Sequence, residues 1–78
     1  MMTLTKKEIR KAIVEHLPAN VEMAHTTSIK DWLLANVFDY TVWIRDDYCG
    51  IVVKSMTKEG LFHTFRSPTG TIIYIKNT

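Results

Sequence analysis

Glycine, proline and cysteine are scarce in this chain of 78 residues, with three, two and one respectively. A lone cysteine, Cys49, cannot build a disulfide framework, and its presence as a free thiol favours a reducing compartment. His16, His25 and His63 lie far from one another and from Cys49 in the chain, so no zinc-ligand spacing is present. Gly50, Gly60 and Gly70 are each accounted for by a turn, which leaves no glycine-rich phosphate loop. No apolar run approaches the roughly 20 residues of a membrane span, and no signal-peptide pattern precedes the first charged segment. The formal net charge of +2 is too small to indicate nucleic-acid binding unless the charge is clustered. The chain is therefore expected to be cytoplasmic, with no membrane association.

Catalytic constellations are also missing. Cys49 sits beside Gly50 with no histidine or acid placed to activate it. Asp39, Asp46 and Asp47 fall where aspartate ordinarily forms turns by bonding its own backbone. So small a domain without converging polar groups is expected not to be an enzyme, and neither a cofactor nor a metal is expected.

What is present is a globular composition, 46% hydrophobic and 23% charged, on a single domain spanning residues 1–78. That length is near the lower limit at which one core suffices. Thr5 with Glu8 forms a capping-box pattern, and Ile9, Ala12, Ile13 and Leu17 recur at helical spacing before Pro18. These features predict a helix over 5–17. A second helix is expected over 28–37, opened by Ser28 and Asp31, with Ile29, Trp32, Leu33 and Val37 inward. Residues 19–27 read as a connection.

From Tyr40 onward, alternating residues predict four strands, over 40–45, 51–56, 61–66 and 71–76. Thr57-Lys58-Glu59-Gly60 and Ser67-Pro68-Thr69-Gly70 both fit a type I turn closed by a glycine at positive φ, giving a bulged hairpin. The expected fold is α+β: two N-terminal helices packed on one face of a four-stranded antiparallel sheet, an ααββββ meander. Pairing Ser67 with Thr71 places Phe65, Ile73 and Ile75 on one strongly apolar face, which the helices are expected to cover. The opposite face collects Trp43, Arg45, Lys54, Phe62, Arg66, Tyr74 and Lys76, rings among cations with no carboxylate.

That mixture suits a flat or acidic surface, with rings for stacking and cations for phosphates or carboxylates. The seven residues are the expected partner-binding site. A secondary basic patch is expected on the first helix at Lys6, Lys7, Arg10 and Lys11. The leading expectation is a non-enzymatic protein that occupies a larger protein or ribonucleoprotein partner, in the manner of a phage or mobile-element inhibitor of a host defence factor. The alternatives are a single-stranded nucleic-acid binder, a small DNA-binding regulatory protein, and a homodimer formed through the same face. Two helices followed by hairpins also invite a winged-helix reading. It finds little support in a second helix offering only Lys30 and in the want of an evident third helix.

Overall fold

The computed structural model describes all 78 residues. Its elements are β1 (Met2–Thr3), α1 (Lys6–His16), β2 (Glu22–Ala24), α2 (His25–Asn36), β3 (Val42–Trp43), α3 (Asp46–Lys58), β4 (Phe62–Arg66) and β5 (Ile72–Lys76). The chain is α+β, with three helices and two small sheets. One sheet is the parallel pair β1–β3, and the other is antiparallel in the order β2-β5-β4.

α1 starts where its capping box places it. The Glu8 amide donates to the Thr5 hydroxyl, and the Thr5 amide donates to Glu8 Oε1 at 2.9 Å, so two otherwise orphaned donors are satisfied. Its apolar stripe, Ile9, Ala12, Ile13 and Leu17, is buried in full. α2 begins three residues earlier than its cap pattern suggested, directly after β2. His25 turns that junction with φ of 58°, a left-handed conformation in which a residue without glycine's freedom is strained. Ile29, Leu33 and Leu34 complete the layer against α1 and α3.

The expected strand over 51–56 is not formed: these residues lie in α3, so the four-stranded meander does not exist. Cys49, Val52, Val53 and Met56 recur at i, i+3, i+4 and i+7, and all four are buried as one helical stripe. Asp46 and Asp47 occupy the first turn and Lys58 the last, both favourable to the helix dipole. Gly60 does adopt positive φ, at 83°, but as the helix stop rather than a hairpin bulge. Its amide donates to the Thr57 carbonyl and the Leu61 amide to the Met56 carbonyl, the paired bonds of a Schellman motif. The strand expected over 40–45 shrinks to Val42–Trp43, beside β1.

The second hairpin forms with the expected register. Ser67 and Thr71 close it, Arg66 pairs with Ile72, and Gly70 has φ of 88°. Alternation along β4 and β5 therefore sorts the residues as the sequence indicates, but the helices cover the other face. Phe62 and Tyr74 point inward, 2% and 5% exposed, and meet edge to face with centroids 6.2 Å apart. Phe65 remains 44% exposed on the outside, with Ile73 and Ile75 half-buried. Two aromatic rings fill the wedge between sheet and helices better than β-branched side chains would. A third strand, β2, joins the sheet from the segment read as a connection, with Met23 inward.

One cation is buried in this framework. Lys30 places its ammonium 2.6 Å from Asp46 and 4.8 Å above the Trp43 ring, tying α2 to the start of α3.

Candidate nucleic-acid interface

The outward side of α3 follows from its buried stripe. With Cys49, Val52, Val53 and Met56 inside, helical geometry turns Asp47, Ile51, Lys54, Ser55 and Lys58 to solvent. Ile51 is 51% exposed, an apolar side chain set among polar ones.

A shallow groove runs along each flank of this helix. Between α1 and α3, Lys6, Lys7, Arg10, Ile51, Val52 and Ser55 line about 270 Å³. Between α3 and the sheet, Lys54, Thr57, Lys58, Thr64, Ile72 and Tyr74 line about 340 Å³. Neither groove is lined by a carboxylate.

The nearby acids are committed elsewhere. Asp47 accepts two bonds from the Arg45 guanidinium, at 3.0 and 2.8 Å, which together with its charge hold the Asp47 carboxyl below its ordinary range. Asp46 faces Lys30. Glu8 is held by Thr5, whose backbone and hydroxyl bonds lower its pKa. Glu59 accepts from Arg10 at the far end of α3. Lys6, Lys7, Lys54, Lys58 and Arg66 carry no ion pair. Lys6 instead lies 5.0 Å over the Tyr48 ring, and Arg45 lies 4.7 Å from the same ring.

Beyond the second groove the β4–β5 hairpin projects a tip stiffened by its own polar side chains. Arg66 donates to the Gly70 carbonyl at 3.0 Å, the Thr71 amide donates to the Ser67 hydroxyl at 3.1 Å, and Ser67 and Thr69 hydroxyls lie 2.9 Å apart. Pro68 fixes a further backbone angle in the same turn.

The seven residues expected to share one sheet face do not share it. Lys54 lies on α3, and Trp43 is on β3, away from the three-stranded sheet. Arg45 is the residue before α3, folded onto Asp47. Phe62 and Tyr74 are core. Lys76 is drawn under α1, where its ammonium donates to the carbonyls of Ile13, Val14 and Leu17. Arg66 alone remains at the outer end of the inward sheet face, near the hairpin tip. The basic patch of α1 is brought to the flank of α3 through Lys6, Lys7 and Arg10, whereas Lys11 turns toward Glu15, 3.9 Å away.

Ile51 and Ser55 were missed because reading 51–56 as a strand gave them to a sheet, and Lys58 because reading 57–60 as a hairpin turn gave it to a loop. The helical stripe 49-52-53-56 was the signal that would have found them. No group of three or more His, Cys, Asp or Glu side chains converges on a metal-sized site, and no helix is long and apolar enough to cross a membrane.

Comparison with known proteins returns nothing similar: no family model, no curated protein and no solved structure matches the chain.

Proposed function

We propose that this is a small non-catalytic protein that binds duplex DNA, with α3 as the element presented to the major groove and the β4–β5 hairpin as a flanking wing. The observation that carries this reading is the outward face of α3, framed by two grooves lined with lysines and with no carboxylate among their lining residues, although Glu59 pairs with Arg10 at the edge of the first. The element order supports it. Apart from the two-residue strands β1 and β3, which pair with each other, the order is helix, strand, helix, helix and hairpin with sheet order β2-β5-β4, the connectivity of a winged helix-turn-helix unit. At 13 residues α3 is about 20 Å long, and a B-form major groove about 12 Å wide admits such a helix. Lys54 and Lys58 are then placed for phosphates, while Ile51 and Ser55, whose hydroxyl has only a long contact with Glu59 at 3.5 Å, are the side chains turned toward base edges.

Duplex is favoured over single strands because Phe62 and Tyr74, two of the three rings on which bases were expected to stack, are inside the core, and the third, Trp43, is 46% exposed but lies on β3, away from the lysine-lined grooves. The test is fluorescence anisotropy with a labelled duplex of roughly 16 base pairs, one and a half turns, and with a single strand of the same sequence. If Lys6, Lys7, Lys54, Lys58 and Arg66 all meet phosphates, log K should fall with log salt at a slope of about −4.5, a loss of about 500-fold between 50 and 200 mM. Lys54→Ala should flatten that slope by about 0.9. Equal or tighter binding to the single strand, or no binding to either at low salt, would overturn the proposal.

A second reading, occupation of a protein partner, rests on a different surface. Met2, Tyr40 and Trp43 are 58%, 64% and 46% exposed around the β1–β3 pair, next to a loop in which Asp39 and Tyr40 both have positive φ. An exposed apolar cluster beside a strained loop is the kind of surface that inhibitory binding uses. Loss of partner inhibition in Tyr40→Ala or Trp43→Ala, with DNA binding absent in the unaltered chain, would favour it.

A further inference from the structure

Arg10 sits in the groove between α1 and α3, yet its guanidinium is already occupied: Nη1 and Nη2 donate to the two carboxylate oxygens of Glu59, each at 2.7 Å. This fork-to-fork geometry is the one arginine offers to a phosphate. We infer that Glu59 acts as a built-in phosphate surrogate, an internal competitor that holds Arg10 in its binding pose and yields it to a backbone phosphate when the duplex docks. The inference rests on the duplex-binding reading proposed above.

Three observations converge on it. First, Glu59 stands at the C-terminal end of α3, where the helix dipole disfavours an anion, so Arg10 supplies what the helix end does not. Second, both side chains are well exposed, 40% and 45%, and an exposed ion pair is worth little in water. Exchange of one oxyanion for another at Arg10 is therefore inexpensive, which would not hold for a buried pair. Third, Glu59 has only a long second contact, Ser55 Oγ at 3.5 Å, so nothing else holds the carboxylate in place once Arg10 is taken.

The experiment compares the unaltered chain with Glu59→Gln, Arg10→Gln and the double variant on the same duplex at fixed salt. Circular dichroism confirms folding of each, and Glu59→Ala, which also removes the carboxylate, serves if Glu59→Gln does not fold. Removing the competitor should tighten binding about threefold to fivefold. Arg10→Gln should weaken it, and the double variant should match Arg10→Gln, because Glu59 acts only through Arg10. Binding by the unaltered chain with Glu59→Gln equal or weaker would overturn the inference and leave the duplex reading standing. No binding by the unaltered chain overturns both.

Discussion

Lys76 is the residue whose role the structure changes most, from a side chain expected to face a partner to one that closes α1. Its ammonium donates at 3.0, 3.0 and 2.8 Å to the carbonyls of Ile13, Val14 and Leu17; Ile13 also accepts from the Leu17 amide, whereas Val14 and Leu17 are carbonyls that a helix end otherwise leaves without intrahelical donors. Lys76→Met keeps much of the stem and removes the charge. A cation in a favourable, partly buried position at a helix C-terminus contributes up to about 2 kcal/mol, and hydrogen bonds to charged groups about 1.5 to 3 kcal/mol. Water reaches these carbonyls once the ammonium is gone and offsets part of that, so a loss of about 2 kcal/mol is expected. For a domain of this size it corresponds to roughly 10 °C in Tm. Urea denaturation followed by far-UV circular dichroism, with the slope of free energy against urea unchanged, measures it directly. Lys54→Met, on the exposed face of α3, is the control and should stay within about 0.5 kcal/mol. A Lys76→Met effect no larger than that control would refute the assignment of Lys76 as a helix-closing residue.

Gly60→Ala should destabilise by about 1 to 2 kcal/mol: no atom lies within 4 Å of the added Cβ, so the cost comes from φ of 83° alone and is read from the shift in the urea midpoint. Cys49 is 1% exposed, with burial pushing its thiol pKa up to about 11 from an ordinary 9.0. A neutral-pH thiol reagent should therefore label it at the rate of unfolding. Since the folded thiol ionises later than the unfolded one, stability should be full below pH 9 and decline as pH rises toward 11, a decline that Cys49→Ala removes. At the acid end, Asp47 and Glu59 are both held low by bonds from arginine. Their contributions are present above the usual carboxylate range and lost as pH falls through their folded pKa values, so Glu59→Gln should flatten part of the acid limb of a pH–stability curve.

Local chemistry made some elements legible and long-range competition hid others. Thr5 and Glu8 satisfy each other within one turn, so α1 could be read from four residues. The Ser67–Gly70 turn and the alternation of β4 and β5 are equally local. The run from Ile51 to Met56 fits two periods at once: Ile51, Val53 and Ser55 alternate, while Cys49, Val52, Val53 and Met56 form a helical stripe. Gly60 does not decide between them, because a bulged hairpin and a Schellman stop both require a glycine at positive φ. What decides is the wider frame, Asp46 and Asp47 opening a helix 13 residues long and Lys58 ending it. β2 was hidden for another reason, since Glu22–Ala24 is too short to show alternation and is a strand only because β5 lies beside it. The covered face of the sheet followed from that error: with α3 restored, Phe62 and Tyr74 have a helix to pack on. The expected cationic sheet face does not exist; the cations that line the two grooves or lie near them are Lys54 and Arg66 from the expected set, Lys6, Lys7 and Arg10 from the α1 patch, and Lys58.

The most direct test of duplex binding through α3 is a chemical-shift titration of the isotopically labelled chain with a short duplex at low salt. Perturbations should concentrate on Ile51, Lys54, Ser55 and Lys58 and on the hairpin tip Ser67–Gly70, leaving Met2, Tyr40 and Trp43 unmoved. Shifts centred on the β1–β3 pair, or none at saturating duplex, would contradict the account.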